Sequence, residues 1–532
     1  MKKRLTSGGR RRYRSSRTSM LALRICMWGC VVPASAHTDA GPAPAYVPAR
    51  YDVVTGAANR QTVLAGFLSG GSVADLAAVD VDVNGGRRLR VFSFVDGGWD
   101  QGVEATLRPD VSFVDVANIN GLDRLIAYGA GRLTWFDPEA AAERELAAVI
   151  SDFGGTSRAE VLHVDITRDL NGDGRDDLVI PHGRGFQVLV QLSGGAFAEA
   201  LKIGPEGGLD RVYAADGYRH QPWVQGGRFH EVDVDLDGRT DLVFWNQDRF
   251  QAHLQDEHGL FSSRARTFTT EVTFDSDDPA FLAAPQEVRR RRLDHQLTGA
   301  KQGSVLHSLT DMNGDGVADL VVFSLTIRSM WSVHSAYEVY LGAPTPDGGI
   351  VFASEAGSAI RSDGLPFVLG PHDFDGDGQV DMMFTTMKFG FFKTMGMVGR
   401  GMLTRSVRMH LEFYRMKGGV YPDEPNATRR VKGRAPGVSG QKSIFHPSVL
   451  IGDVNGDSRS DLLVQQGPEE LRVYLGVQGP ALFTRRPEKL TVPMPSEEYT
   501  WLVDLNRDGK QDVLMHHPST TEPHRVTMLI SR

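Results

Sequence analysis

Cysteine is almost missing from this 532-residue chain: there are two, Cys26 and Cys30, both near the N-terminus. Beyond them no disulfide can staple the fold, and no thiolate zinc site or cysteine nucleophile can be built. Long apolar runs are also missing. Past the N-terminal leader no stretch is long and apolar enough to cross a bilayer as a helix. An excess of positive charge is absent: 58 basic against 66 acidic residues give a formal charge of −8. That balance argues against nucleic acid as a partner. Common catalytic signatures are absent as well. There is no Gly-x-Ser-x-Gly elbow, no His-Glu-x-x-His, no phosphate loop and no Cys/His zinc spacing. An Arg-Gly-Asp tripeptide is absent too.

What the chain has in quantity is an acidic loop. It is complete at Asp169-Leu170-Asn171-Gly172-Asp173-Gly174-Arg175-Asp176-Asp177, with oxygen side chains at loop positions 1, 3, 5 and 9 and a glycine at position 6. The pattern recurs at Asp233, Asp235, Asp237 and Asp241; at Asp311, Asn313, Asp315 and Asp319; and at Asp373, Asp375, Asp377 and Asp381. It recurs again at Asp453, Asn455, Asp457 and Asp461, with Ser458 at the turn, and at Asp504, Asn506, Asp508 and Asp512. Alternate residues of such a loop point inward, and the glycine lets the backbone curl around a hard cation.

The ligand set is all oxygen, which selects Ca²⁺ over Zn²⁺ or Cu²⁺, and the flexible carboxylates suit calcium better than magnesium. By analogy with other calcium loops, position 7 adds a backbone carbonyl, here from Arg175, Arg239, Val317, Gln379, Arg459 and Lys510. Without a cation, like charges about 4 Å apart repel by about 4 kcal/mol per pair at an intermediate dielectric. An EF-hand is excluded. Position 12 is apolar each time (Ile180, Phe244, Val322, Phe384, Val464, Met515), and flanks such as Leu320-Val321-Val322-Phe323 read as strands.

A strand, an Asp/Asn-Gly loop and then Asp-Leu-Val-Val or a variant of it resembles the FG-GAP, or VCBS-type, repeat of integrin α-subunits and many bacterial exported proteins. The resemblance covers most of the chain beyond about residue 60. It implies an all-β fold, a β-propeller with one four-stranded blade per repeat and calcium in a hairpin loop. Two further segments align with the loop but have lost most of its carboxylates: Phe67 to Asp75, and Asp115 to Asp123. Counting these, the repeats predict eight blades, with seven blades plus an extra hairpin as the alternative. Tyr51-Asp52-Val53-Val54 is a candidate strand that completes the last blade from the other terminus.

Residues 1–36 read as an export signal. Lys2, Lys3, Arg4 and the arginines from Arg10 to Arg17 precede an apolar stretch from Met20 to Val32, interrupted by Arg24, and Ala34-Ser35-Ala36 resembles a cleavage site. Cys30 keeps a lipid anchor open as an alternative. Removing this leader takes away nine basic residues and no acidic ones, moving the formal charge to −17. Residues 37–50 look like a linker, and residues 51–532 form the propeller, with insertions near 268–302 and 389–407. The first insertion carries Arg289-Arg290-Arg291-Arg292. The second is rich in Gly, Met and Phe: eight of the chain's 16 methionines lie between Met382 and Met416. Residues 389–407 are a candidate apolar docking loop for a partner. Met395 and Met397 raise a soft-copper alternative. His516-His517 is expected at the surface end of a strand.

The sequence therefore predicts an exported (periplasmic, cell-surface or secreted) calcium-binding propeller acting as a binding, adhesion or scaffold module for a protein or glycan. The alternative is a polysaccharide lyase or hydrolase, with Tyr, His, Arg or Lys converging at the funnel of the ring. The aspartates belong to the loops, so no carboxylate pair for glycoside chemistry stands out.

Overall fold

A computed structural model describes residues 46–532 except 58–59, 152–159, 183–184, 205–218, 221–228, 278–300, 330–331, 364, 388–405, 435–446 and 520. The leader, Arg289 to Arg292, Met395, Met397 and nearly all of 389–407 lie outside the described residues. Among the described residues the regular structure is strand, with one 3-10 turn at Glu497–Tyr499.

The strands form eight small sheets, each built on four antiparallel strands; in seven the four follow chain order, and the eighth is completed by a strand from the N-terminal end. Blade 1 comprises Gln61–Gly66, Asp75–Val81, Arg87–Val95 and Gly98–Leu107. Blade 2 runs from Val111–Ile119 to Ala142–Ala148, blade 3 from Thr167–Arg168 to Leu201–Ile203, and blade 4 from Phe229–Val232 to Arg266–Phe268. Blade 5 runs from Lys301–Thr310 to Ser358–Ser362, blade 6 from Leu365–His372 to Ala427–Arg434, and blade 7 from Val449–Gly452 to Glu488–Thr491. Blade 8 has Thr500–Val503, Asp512–His517 and His524–Ile530. Its outermost strand is Ala49–Gly56, paired with His524–Ile530 from Ala49↔Ile530 to Gly56↔His524. The strand expected at Tyr51 to Val54 thus closes the ring. Tyr46 is buried in the core between blades 7 and 8, and its amide donates to Glu488 Oε2 at 3.0 Å, so the end of the expected linker is packed.

Each sheet buries both faces against its neighbours, which is why the second strands read as unbroken apolar runs. Asp461–Gln465 and Asp75–Val81 are buried along their whole length. The core is accordingly divided into eight clusters, each shared by two successive blades. The cluster joining blade 8 to blade 1 packs Val53, Leu505, Leu514 and Val526 on Val63, Leu76 and Phe92. First strands of neighbouring blades touch, as at Phe229–Val232 with Lys301–Thr310 and Val449–Gly452 with Thr500–Val503, so they face the ring axis. The chain is an eight-bladed β-propeller.

Blade 3 departs from the repeat. Leu162–Val164, an apolar run placed before the loop as a first strand would be, pairs in parallel with Val111–Ile119 of blade 2 instead, and only Thr167–Arg168 is left to pair with Asp177–His182. Blade 5 carries an extra hairpin, Gly342–Thr345 with Gly349–Phe352, whose Ile350 and Phe352 pack into the core shared with blade 4. In blade 6 the methionine-rich segment does separate the two middle strands, Asp381–Met387 and Ser406–Tyr414. Its flanking Met382, Met383, Met409 and Met416 are all buried in the core.

His516 corrects an expectation: it is wholly buried, not at a surface end. Its Nε2 lies 3.2 Å from His524 Nδ1, with the two rings stacked, and Tyr499 meets it edge-on. Burial, aided by His524 and His517, pushes its pKa down to about 3. An unfolded histidine protonates near 6.5, so this group's contribution is intact above that pH and is lost as pH falls toward 3. By pH ~4.5 the loss is on the order of 2 kcal/mol. Melts of wild type and His516→Gln at pH 7 and at pH ~4.5 check this: the variant should lose less of its midpoint on acidification.

Candidate metal centres

All six acidic loops join the first strand of a blade to the second, in blades 3 to 8. Because first strands run the same way around the axis, these turns lie on one rim. The position-1 carboxylate organises each loop by accepting backbone N–H groups from the residues that follow. Asp169 accepts from Asp173 and Gly174 at 3.0 and 2.9 Å, and Asp373 accepts from Gly376, Asp377 and Gly378 at 2.7, 3.2 and 2.9 Å. Asp233, Asp311, Asp453 and Asp504 do the same. The position-6 residue has positive φ in every loop, and the five glycines run from +81° at Gly174 to +86° at Gly238. Ser458 holds the same conformation at +63°, a strain of about 1–2 kcal/mol that glycine avoids.

Position 4 is left-handed as well: Gly172, Gly314, Gly376 and Gly456, but also Leu236 and Arg507. The sequence reading passed over this position; the four glycines were its signal.

Position 9 has a structural role beside the ligand role expected of it. Asp177, Asp241, Asp319, Asp381, Asp461 and Asp512 are buried, at 1% exposure or less, and each accepts two backbone N–H groups. One comes from loop position 2 and the other from the residue that follows the third strand or lies just beyond it. Asp381 takes Phe374 at 3.1 Å and Met416 at 2.8 Å; Asp461 takes Val454 at 3.0 Å and Gly476 at 2.7 Å. Asp177, Asp241, Asp319 and Asp512 repeat the pair. Burial, against these hydrogen bonds, pushes the carboxyls up, to about 7 at Asp177 and about 8 at Asp381. Position 9 is therefore a staple between loop and sheet whatever else it binds.

Positions 3 and 5 divide the loops into two kinds. In blades 4 and 6 position 3 is aspartate, and Asp233, Asp235 and Asp237, like Asp373, Asp375 and Asp377, each bring one carboxylate oxygen within 4.8 Å of the others. Asp235 Oδ1 and Asp375 Oδ1 are buried and accept no hydrogen bond. Burial and the neighbouring carboxylates raise the pKa of both. In blades 5, 7 and 8 position 3 is asparagine, whose amide donates to the position-5 carboxylate: Asn313 to Asp315 at 3.0 Å, Asn455 to Asp457 at 3.4 Å and Asn506 to Asp508 at 3.2 Å. In blade 3 the Asn171 amide turns to the carbonyl of Gly259, 3.5 Å away.

The position-7 amides all donate to position 5. The side chains of Arg175, Arg239, Arg459, Gln379 and Lys510 return to the same carboxylate. In blade 6 the Arg415 guanidinium also reaches Asp375 and Asp377, at 2.5 and 3.2 Å.

The two worn-down loops satisfy their carboxylates with protein donors. Asp75 accepts the Ser69 amide and hydroxyl at 2.6 and 3.0 Å. Asp115 accepts Ile166 N at 2.7 Å and sits 3.0 Å from His163 Nε2. The Arg507 guanidinium lies 3.7 Å over the ring of Phe67, so a side-chain cation lies beside the loop where carboxylates are missing.

The loops also meet one another across blade junctions. Gln511 N donates to the Asp453 carbonyl at 2.7 Å, Val380 N to Met312 at 2.8 Å, and Ala74 N to Leu505 at 2.7 Å, the last across the ring closure. Asn118 N donates to Asp176 Oδ2 at 2.6 Å, and Ser460 Oγ to the Asp373 carbonyl at 3.3 Å. The acidic rim is thus a run of inter-blade bonds, and whatever orders a loop orders a junction.

No family model matches the chain, and no curated protein matches it. Among solved structures, an Agrocybe aegerita lectin that recognises non-reducing terminal N-acetylglucosamine is similar at 13% identity and a TM-score of 0.40, over 81% of this chain and 94% of that one. The β-propeller domain of Vanderwaltozyma polyspora Nup133 is similar at 7% identity and a TM-score of 0.32, over 91% and 98%. The V. cholerae biofilm matrix protein Bap1 is similar at 11% identity and a TM-score of 0.25, over 88% and 76%. Likeness at these levels carries no functional weight, and the fold rests on the chain's own eight sheets. No helix among the described residues is long and apolar enough to cross a membrane.

Proposed function

We propose that the chain is an exported, calcium-stabilised propeller of the FG-GAP/VCBS type that serves as a binding, adhesion or scaffold module. The observation that carries this reading is a pair of aspartate triads, each bringing its carboxylates within 4.8 Å of one another, in which Asp235 Oδ1 and Asp375 Oδ1 are buried without a donor. A buried carboxylate oxygen in that state is costly unless a cation supplies the missing partner, and at Asp375 the Arg415 guanidinium meets only the other oxygen. The donor set is all oxygen, as calcium requires. Positions 1, 3 and 5 would hold the ion, with the position-7 carbonyl and position 9 completing the shell. The bound ion would neutralise the cluster and tie each loop to the next blade. Expression with its leader in a bacterial host tests the export half: the mature chain should appear outside the cytoplasm with His37 at its N-terminus. A cytoplasmic product that keeps residues 1–36 would contradict it.

A polysaccharide-acting enzyme is the second reading, and one observation favours it. A cleft on the rim opposite the acidic loops gathers Lys432, Tyr499 and His517. New reducing ends, or the ultraviolet absorbance of an unsaturated sugar, released from polysaccharides by the mature chain would establish it.

A further inference from the structure

The cleft lies between blades 7 and 8, with Lys432 added from the last strand of blade 6, and has a volume of about 430 Å³. It is built from the turns between second and third strands, at Gly467-Pro468 and His517-Pro518, and from the crossover Met494 to Tyr499 that leads into blade 8. These segments lie at the end of the sheets away from the acidic loops. The size is within the range of about 300–1,000 Å³ typical of small-ligand sites.

The walls are pinned before any ligand arrives. Gln465 is 1% exposed; its Oε1 accepts Ser448 N at 2.9 Å and its Nε2 donates to the Met494 carbonyl at 3.5 Å. Met494 N in turn donates to the Pro468 carbonyl at 2.8 Å, and Tyr499 N to Ser496 at 2.9 Å. Four prolines add rigid, donor-free surface. Such preorganisation lowers the entropy cost of binding.

The lining chemistry is specific in its balance. One cation, Lys432, and one anion, Glu498, line the cleft, while burial and the nearby Arg525 charge depress the pKa of His517. A strongly charged ligand therefore gains little. Tyr499, Met494 and the prolines offer apolar surface, and Lys432, Glu498 and Ser496 offer scattered polar groups. An extended peptide would want a free strand edge, and this cleft is made of turns. Apolar CH faces carrying hydroxyl groups, without net charge, match the lining.

We propose that this cleft binds the end of a neutral oligosaccharide, with the Tyr499 ring against a sugar face and Glu498 and Lys432 on its hydroxyls. The inference rests on the binding role above and gives it a site and a ligand class.

The test uses the mature chain in calcium on immobilised neutral oligosaccharides (gluco-, galacto-, manno- and N-acetylhexosamine oligomers), beside a panel of synthetic peptides. Retention on at least one oligosaccharide is expected. Tyr499→Ala should weaken it about tenfold or more, as removal of a central aromatic contact does. Glu498→Lys, at an exposed rim position that does not threaten folding, should weaken it comparably, while Glu145→Lys on the outside of blade 2 leaves it unchanged. Retention that survives both cleft variants overturns the site but leaves the binding role standing, as does retention on peptides alone. Silence on both panels counts against the cleft and against the binding role together.

Discussion

Chelating calcium should lower the thermal midpoint of the mature chain by about 10 °C or more. A ligand that binds only the folded state contributes about 2.7 kcal/mol per site when its free concentration is about a hundred times Kd. Six such loops would contribute about 16 kcal/mol, against a usual total stability of about 5–15 kcal/mol for a folded protein. The mature chain has no cysteine, so no disulfide substitutes for the lost ions. The inter-blade bonds at Gln511–Asp453, Val380–Met312 and Ala74–Leu505 carry the loosening of one loop into the next sheet. Melts with and without EGTA, with magnesium as a control, read the effect. Unchanged midpoints would show that the loops are ordered by their own hydrogen bonds.

The second large effect is at position 9, and it should persist when calcium is removed. Asp381→Ala leaves the buried amides of Phe374 and Met416 without acceptors. Each unsatisfied buried donor costs about 1–3 kcal/mol, so the variant should lose about 2–6 kcal/mol with or without the ion. Asp377→Asn removes one charge from the half-exposed part of the same loop, and the Gln379 amide that bonds Asp377 can be met by an asparagine oxygen. Its cost should appear in calcium and vanish in EGTA. Denaturant titrations of both variants in both buffers separate the staple from the cage. Equal losses for the two variants in EGTA would contradict that division.

The loop spacing and the apolar runs after each Asp at position 9 made the blades legible, because every second strand is buried on both faces. Tyr51 to Val54 was legible as the closing strand because an unpaired β segment at one terminus can complete a sheet at the other. The split of the third blade was not legible. Leu162–Val164 looks the same whether it pairs with blade 2 or blade 3, and only the ladder decides. The structural role of position 9 was not legible, because its identity matches positions 1 and 5, whereas its burial and its two amide partners depend on the following strand. His516 was misread because a histidine pair near a turn resembles surface, and nothing local announces that His524 lies across the hairpin. The difference between aspartate and asparagine at position 3 was visible in the sequence, but its consequence was not. The amide can donate to position 5, whereas the carboxylate at Asp235 or Asp375 leaves an oxygen with no protein donor.

Counting the bound ions is the most direct test. Mature chain dialysed to equilibrium against calcium and analysed for metal per polypeptide should hold close to six ions, one for each complete loop. The count should fall by one in a variant that replaces Asp233, Asp235 and Asp237 with alanine. Fewer than one ion per chain, or a count unmoved by that variant, would mean that the acidic rim is a set of self-bonded turns and not a set of cation cages.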